Sequence, residues 1–343
     1  MNFKKTTLAL AMAGIVAAPM MAQAESGFYG SVRQGIQSSS NDAPGTDTAL
    51  SITNRGSRMG YGGETDLGNG MTGFGKYEFG INTNGGNAAT ISRRKAYVGV
   101  KGDFGSVLMG QTYHTFYSHV NGPVDIANWN SGFYSTGRTD QAITYSNEFG
   151  PVSVGVTAYA RSDDNPNGTA AVAATAATAT AVETLGSDAV AASGDTGVDG
   201  TEIGASFNAG PIKIGLGVKS ESNKIGKDAE DITGIALSGN LGDVYLAVSM
   251  QSQDKVKDTT EISASIGQVY LAYAVADYEG KLTGGNGSKA DQGDGPTDLT
   301  LGYSIPIGSQ TSAWLEYTTH DSDNLTSVAA DTSQIEAILK YSW

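Results

Sequence analysis

The sequence contains no cysteine and no long apolar run after its first two dozen residues. The absence of cysteine excludes disulfides, thiolate nucleophiles and Cys-ligated zinc. No window beyond residue 24 approaches the length of apolar sequence that a transmembrane helix needs. Charge is scarce, at 16% of residues, and 35 acidic residues outnumber 21 basic ones. This balance argues against nucleic acid as a partner, because phosphate binding needs a basic surface.

The N-terminal segment has the features of an export signal. Two lysines precede an apolar stretch over residues 8–21, and residues 22–24 read Ala-Gln-Ala. This pattern predicts a signal peptide over 1–24 and a mature domain over 25–343. Removal of the two lysines takes the formal net charge from −14 to −16.

The mature sequence alternates between apolar and polar or glycine residues with a period of two, which is typical of β-strands. The same pattern recurs over residues 152–161, 244–251 and 334–343. In the clearest stretch, one set of alternating residues comprises Ile212, Ile214, Leu216 and Val218, and the other comprises Lys213, Gly215, Gly217 and Lys219.

The connections between these stretches are alternately short and long. Seven short ones supply Gly, Asn or Asp for tight turns, and eight long ones are polar, acidic or of low complexity, which gives sixteen strands. So many strands in up-and-down order must close into a barrel. Because the face opposite the aliphatic residues carries small and charged side chains, we predict an all-β fold, a transmembrane antiparallel barrel with a watery lumen.

Several segments of the chain are similar to the general diffusion porins of Gram-negative outer membranes. The matching segments are Ser-Arg-Met-Gly-Tyr-Gly-Gly-Glu-Thr-Asp-Leu-Gly-Asn-Gly-Met at 57–71, Arg-Lys-Ala-Tyr-Val-Gly-Val-Lys-Gly-Asp-Phe-Gly at 94–105, Gly-Gln-Thr-Tyr at 110–113, Gly-Arg at 137–138 and Ala-Ile-Thr-Tyr-Ser at 142–146. The resemblance implies a sixteen-stranded barrel, usually a homotrimer, that passes small hydrophilic solutes by diffusion and is not an enzyme. It also implies a third loop that folds inward, here over 112–136, with acidic residues facing a basic wall.

The resemblance places three arginines in that basic wall, namely Arg58, Arg94 and Arg138. Alternation adds Arg33 and Lys76, which share a strand face with polar residues. For each of these residues the alternative is a place near a rim, paired with loop acids or lipid head groups. Because neighbouring strand residues point to opposite faces, we expect only one of Arg93 and Arg94 to face the lumen, and the motif favours Arg94.

The inward loop is unusual because it contains one acidic residue, Asp125, and many aromatic ones. We therefore expect the facing acids to include Glu64 and Glu78, or the constriction to be less polarised than usual. The aromatic residues either pin the loop to the wall or form a stacking track for sugars. They are Tyr113, Phe116, Tyr117, Trp129, Phe133 and Tyr134.

Further expectations concern partners. By resemblance, the C-terminal Leu339, Tyr341 and Trp343 form a signal for the barrel assembly machinery, and the loop over 82–90 is a latch to a neighbouring copy. No cofactor is expected, except a divalent cation that bridges acidic external loops to lipopolysaccharide. The acids considered for that role are Asp163, Asp164, Asp195, Asp199, Asp291, Asp294, Asp321 and Asp323.

These observations favour a passive channel of weak ion selectivity that leans slightly towards cations. Two alternatives stay open: a channel selective for sugars or nucleosides, and a barrel that acts as an adhesin or scaffold through its external loops. Catalysis is not expected, because the three histidines, His114, His119 and His320, lie in no nucleophile motif.

Overall fold

The computed structural model describes residues 25–41, 49–82, 84, 90–128, 137–159, 198, 200–221, 231–254, 257–278, 296–321 and 331–343. The predicted signal peptide lies outside these residues. The strands are β1 (Glu25–Asn41), β2 (Ala49–Asn54), β3 (Arg58–Gly68), β4 (Met71–Asn82), β5 (Thr90–Gly102), β6 (Gly105–Tyr113), β7 (Arg138–Phe149), β8 (Val152–Tyr159), β9 (Gly200–Ala209), β10 (Ile212–Glu221), β11 (Ile232–Leu241), β12 (Val244–Gln253), β13 (Lys257–Ile266), β14 (Val269–Tyr278), β15 (Thr297–Pro306), β16 (Thr311–Asp321) and β17 (Thr332–Ser342).

The strands form one closed antiparallel barrel. Apart from β2, which does not pair with β3, each strand pairs with the next along the chain, and β1 closes the sheet by pairing with β17 from Ser31↔Ser342 to Asn41↔Thr332. β2 and β3 both pair with β1, one after the other, so together they form a single wall strand. The barrel therefore has sixteen wall strands, which confirms the prediction.

The two faces of the barrel follow the alternation in the sequence. Leu216 and Val218 on β10 are 52% and 45% exposed on the outside, whereas Lys219 is buried inside. Residues paired across neighbouring strands share a face, so that Gly217 on the inner face lies opposite Gly204 of β9 and Gly234 of β11. The aliphatic band thus faces outward and the polar set lines the lumen, as the sequence predicts.

The described short turns join consecutive strands at one end of the barrel. Short turns join β3 to β4 and β5 to β6, and Asn69 and Gly70 adopt the positive φ of 52° and 74° that the first of these turns requires. Among the described residues, no helix is long and apolar enough to cross a membrane. The described helical structure is a short π-helical turn, Tyr117–Asn121, in the connection between β6 and β7.

Two bulges change which residues face the lumen. Between β2 and β3, three residues (55–57) lie opposite two residues of β1, with Gly56 at φ 79°. On β5 the pairing with β4 shifts so that Lys95 lies opposite Glu78 and Arg93 opposite Phe79, with Arg94 as the extra residue. Because an extra residue reverses the alternation, each bulge allows basic side chains on both sides of it to share the inner face.

Candidate functional site

The connection between β6 and β7 packs inside the barrel against a part of the wall that is lined by glycines. Phe116 and Val120 are fully buried there, together with Ile232. A Cβ atom added at Gly217 would lie 2.8 Å from Phe116 Cδ2 and 2.9 Å from Val120 Cγ2, and one at Gly234 would lie equally close to both residues. We call this set of inner-face glycines on β8 to β11 the glycine seat, and it comprises Gly155, Gly204, Gly215, Gly217 and Gly234.

A buried carboxylate fixes the start of the loop. Glu202 on β9 is fully buried and accepts a hydrogen bond of 2.8 Å from the Phe116 backbone N–H. His114 Nδ1 lies 2.9 Å from the same carboxylate oxygen, and the Tyr159 hydroxyl donates to its other oxygen. Burying a carboxylate is unfavourable unless it is hydrogen-bonded, so this cluster holds the first turn of the loop against β9.

Beyond the helical turn, the loop follows the inner wall around the barrel. The Tyr245 hydroxyl of β12 donates to the Pro123 carbonyl at 2.7 Å, and Ser263 of β13 donates to the Val124 carbonyl at 2.5 Å. Asn128 then donates its backbone N–H to Glu316 Oε1 of β16 at 2.8 Å. The described loop residues thus follow the wall from β8 to β16. Asn128 also accepts a hydrogen bond of 3.0 Å from Arg33 of β1, and Tyr117 stacks on Tyr113 of β6.

The wall from β17 through β1 to β7 carries a group of cations that we call the basic wall. Electrostatic repulsion links Arg58 to Arg33, Arg94 and Arg138, and Lys340 on β17 to Arg33 and Arg58. Together with the neighbouring lysines, the members are Arg33, Arg58, Lys76, Arg94, Lys95, Arg138 and Lys340. All five predicted basic residues are therefore brought to one side of the lumen.

Aromatic rings position several of these cations. Arg33 Cζ lies 5.3 Å from the centroid of the Trp314 ring, and Lys76 Nζ lies 4.4 Å from that of Tyr29. Lys95 Nζ and Arg138 Cζ lie 4.7 Å and 5.5 Å from the centroid of Tyr113. Such contacts attract a cation without neutralising its charge.

The three predicted acidic residues do not come together opposite the basic wall. Glu78 lies within the wall, where it accepts hydrogen bonds of 2.9 Å from both Arg94 Nε and the Tyr29 hydroxyl. Glu64 pairs with Lys101 at 2.7 Å, and Asp125 on the loop accepts a hydrogen bond from Tyr117. Each of these carboxylates therefore has a local partner, and the arrangement of facing acids stays a prediction.

Other inner-face carboxylates are buried. Glu336 is 1% exposed and accepts two hydrogen bonds from Arg55 Nε, at 2.7 and 2.6 Å, and one from Thr53. Glu316 is 2% exposed and contacts Asn128 and Tyr270. In contrast, Arg58, Lys76, Lys95 and Arg138 have no carboxylate partner among the described residues.

The predicted loop aromatics have separate positions. Phe116 packs on the glycine seat, which is the pinning arrangement, whereas Tyr113 stacks on Tyr117 with centroids 4.6 Å apart. Trp129, Phe133 and Tyr134 lie outside the described residues, as does most of the predicted latch over 82–90. At the C-terminus, Leu339, Tyr341 and Trp343 are each about half exposed, at 54%, 48% and 51%.

Three basic residues in and near the basic wall were not among those predicted from the sequence. Lys95 faces inward beside Arg94 because of the β5 bulge, and Arg55 reaches Glu336 because of the break before β3. Lys340 lies opposite Arg33 on the inner face of β17, and strict alternation in that strand indicates this position. Arg93, by contrast, lies opposite Phe79, on the outer side of the bulge.

The histidines and acids form no metal-binding group within the described ranges. No cluster of three or more His, Asp or Glu side chains there is placed to hold a metal ion. The three histidines contact different partners, Glu202, Ser206 and Asp298. Of the acids considered for a bridging cation, Asp321 ends β16 and the rest lie outside the described residues.

His119 makes the seating of the loop sensitive to pH. It lies under the helical turn, 3.1 Å from Ser206 Oγ, and burial together with nearby Lys213 lowers its pKa to about 4. In a displaced, hydrated loop this imidazole regains an ordinary pKa of about 6.5. Because the displaced state binds the proton more tightly, acidification from pH 6.5 towards 4 favours displacement, and the effect saturates below pH 4.

We therefore expect fluctuations of the channel current to increase over that pH range, and the increase to be smaller in His119→Gln. Glutamine keeps a hydrogen bond to Ser206 without titrating. The measurement is single-channel current noise between pH 7 and pH 4, with His320→Gln as the control. Equal pH dependence in wild type and His119→Gln would show that this histidine does not govern the loop.

Comparison with known proteins finds a matching family model and several similar outer-membrane proteins. The family model described as "Gram-negative porin" matches residues 7–341. The major outer membrane protein P.IB of Neisseria gonorrhoeae is 28% identical over 138 residues, which is 38% of each chain. The outer membrane porin protein LC of Enterobacteria phage PA-2 is 32% identical over 165 residues, 42% of this chain and 43% of that one. The alignments with these curated relatives thus span less than half of their length.

Solved structures agree over nearly the whole chain. The anion-selective porin from Comamonas acidovorans superposes with a TM-score of 0.67 at 18% identity, covering 94% of this chain and 100% of that one. Salmonella typhi OmpF, in a complex with daunomycin, gives a TM-score of 0.68 at 16% identity, covering 93% and 97%. At these identities the similarity establishes the fold alone.

Proposed function

The chain belongs to the Gram-negative porin family, and we propose that it is an outer-membrane channel through which small hydrophilic solutes diffuse passively. The observation that carries this proposal is the lumen itself. A polar inner face surrounds a loop whose described residues pack on one side, from β8 to β16, and the basic wall lines the other side. Solutes pass between the loop and the basic wall, and no energy source is coupled to their movement.

We further propose that the constriction favours anions. Net charge and acidic loops predict a slight cation preference, but the arrangement of the described side chains supports the opposite sign. Among the described residues, four cations of the basic wall have no carboxylate partner, while the inner carboxylates Glu78, Glu316 and Glu336 are buried and hydrogen-bonded. Charges on distant loops are screened over about 8 Å at physiological salt, whereas charges that line a narrow passage act directly on the solute.

Residues 129–136 leave this balance unchanged, because their sequence, Trp-Asn-Ser-Gly-Phe-Tyr-Ser-Thr, contains no acid. The loop over 112–136 can therefore offer one carboxylate, that of Asp125, which already accepts a hydrogen bond from Tyr117. The Comamonas acidovorans structure is described as anion-selective. The proposal for this chain rests on its own charges.

The proposed assembly is a homotrimer in the outer membrane. Membership of the family supports this assembly. Two related expectations stay predictions: a latch over 82–90, and recognition by the assembly machinery of Leu339, Tyr341 and Trp343. The bridging of external acids to lipopolysaccharide by divalent cations is likewise a prediction.

A planar bilayer recording tests the channel proposal. We expect the purified, folded protein to produce stepwise currents, in groups of three for a trimer, with no dependence on an energy source. Folding is checked independently by heat-modifiable mobility on gels. A folded protein that produces no steps would overturn the channel proposal and favour the scaffold or adhesin alternative.

A further inference from the structure

Three apolar side chains lie on the inner face of β4 to β6, towards the short-turn end of the barrel. Phe74 shares a strand face with Lys76 of the basic wall, and Lys76 pairs with Tyr97 on β5. Phe74 itself pairs with Gly99, and Gly99 pairs with Leu108 on β6. Residues that pair across neighbouring strands share a face, so these side chains belong to the lumen wall. We call Phe74, Tyr97 and Leu108 the apolar patch.

The patch is packed around a glycine. A Cβ atom added at Gly99 would lie 2.5 Å from Phe74 Cζ and 2.9 Å from Leu108 Cβ, so the two side chains meet at this position. The rings of Phe74 and Tyr97 have centroids 6.1 Å apart and an interplanar angle of 70°, which is the edge-to-face arrangement that aromatic pairs favour. Each of the three side chains is partly exposed. The patch is therefore an ordered apolar surface that is partly open to the lumen.

The charges around the patch favour an anion. Lys76 lies next to Tyr97 across the strands and has no carboxylate partner among the described residues. On the other side, Lys101 Nζ lies 5.8 Å from the centroid of the Phe74 ring, and Glu64 compensates its charge at 2.7 Å. Lys76 thus provides an uncompensated positive charge at one edge of the patch.

Space for a solute adjoins the other edge. A cavity of about 700 Å³ is lined by Thr72 and Lys101 and extends to Ser118 and His119 of the helical turn. Thr72 precedes Phe74 by two residues and therefore shares its strand face. A solute in this cavity can reach the Phe74 ring.

We propose that the apolar patch and Lys76 form a binding site for small aromatic carboxylates within the channel. The ring of the solute packs against Phe74 and Tyr97, and its carboxylate lies beside Lys76. This inference rests on the proposed function, because the site is reached only through an open lumen. An aliphatic carboxylate gains the attraction to Lys76 without the ring contact, and a neutral aromatic alcohol gains the ring contact without the attraction. A solute with both features binds more strongly than either.

The experiment separates the ring from the charge. We measure the reduction of chloride current by added benzoate, acetate and benzyl alcohol, each across a concentration series and relative to the current of the same protein without additive. Phe74→Leu removes the ring and keeps an apolar side chain, whereas Lys76→Gln removes the charge. Tyr77→Leu is the matched control, because Tyr77 is the neighbouring aromatic residue on the outer face of β4, 59% exposed.

We expect benzoate to reduce the wild-type current at lower concentration than acetate or benzyl alcohol does. In Phe74→Leu, about fivefold more benzoate is needed, which corresponds to roughly 1 kcal/mol, and the response to acetate is unchanged. Lys76→Gln should weaken the responses to benzoate and acetate and leave that to benzyl alcohol unchanged. Tyr77→Leu should match the wild type in all three series.

Three results would overturn the aromatic site and leave the channel proposal standing. They are equal responses of the wild type to benzoate and acetate, equal responses to benzoate and benzyl alcohol, and equal responses of the wild type and Phe74→Leu to benzoate, each with chloride conduction intact. The absence of any current from folded wild-type protein would instead overturn the channel proposal. If Phe74→Leu fails the gel test for folding, Leu108→Ala replaces it and should require more benzoate than Tyr77→Leu does.

Discussion

Replacing Arg58 and Arg138 together with glutamine should lower the ratio of anion to cation permeability by about fivefold, the effect of roughly 1 kcal/mol of lost attraction. Both side chains belong to the basic wall and have no carboxylate partner among the described residues. Their removal therefore takes away charge that no nearby acid compensates. Glutamine retains polarity and much of the side-chain length, so the width of the passage changes little. The measurement is the zero-current potential under a gradient of potassium chloride.

The matched control is Arg93→Gln. Arg93 is adjacent in sequence to Arg94 of the basic wall but lies opposite Phe79, on the outer side of the bulge. Its neutralisation should leave the zero-current potential unchanged. If all three substitutions shift the potential equally, net charge sets the selectivity and the basic wall does not.

Gly217→Val should displace the inward loop and produce a channel of larger conductance and noisier current. The new side chain would occupy the space that Phe116 and Val120 fill, since even its Cβ lies within 3 Å of both. Burial of such a side chain contributes about 1.5–3 kcal/mol, so loss of the seat removes a large share of the energy that holds the loop. The hydrogen bonds to Glu202 at the start of the loop, and to Tyr245, Ser263 and Glu316 beyond the helical turn, are then the contacts that hold the described segment.

Gly27→Val is the control for this substitution. Gly27 lies on the inner face of β1, opposite Gly62, and a Cβ added there meets nothing within 4 Å. Both substitutions replace glycine by a residue that favours strands. Both proteins should pass the gel test for folding, and only Gly217→Val should change conductance. An unchanged conductance in folded Gly217→Val would show that the glycine seat does not determine the position of the loop.

The barrel and its two faces could be predicted because they depend on a period-two pattern that is local in sequence. In β10, the aliphatic set lies outside and the set of Lys213, Gly215, Gly217 and Lys219 lies inside, as the alternation indicates. In the sequence, the glycines of that strand indicate only a face without side chains. Their role as a seat depends on a loop that lies a hundred residues earlier, and strand periodicity carries no information about such a contact.

The composition of the basic wall was predicted only in part, and the reason is that bulges interrupt the alternation of strand residues. Strict alternation allows only one of two adjacent residues to face the lumen, and Arg94 is joined there by Lys95 only through the extra residue on β5. The acids were harder to place, because a carboxylate on the inner face can be buried, paired or open to the solute. Glu78 shares its face with the predicted cations, but Arg94 and Tyr29 satisfy it.

The sign of the zero-current potential of the wild-type channel tests the central claim most directly. The folded protein is inserted into a neutral bilayer, and the potential is recorded across a tenfold gradient of potassium chloride. If the basic wall controls permeation, the dilute side becomes negative, because chloride crosses more readily than potassium. A dilute side that becomes positive would show that the acidic loops and the net charge dominate, and would contradict the account of the constriction given above.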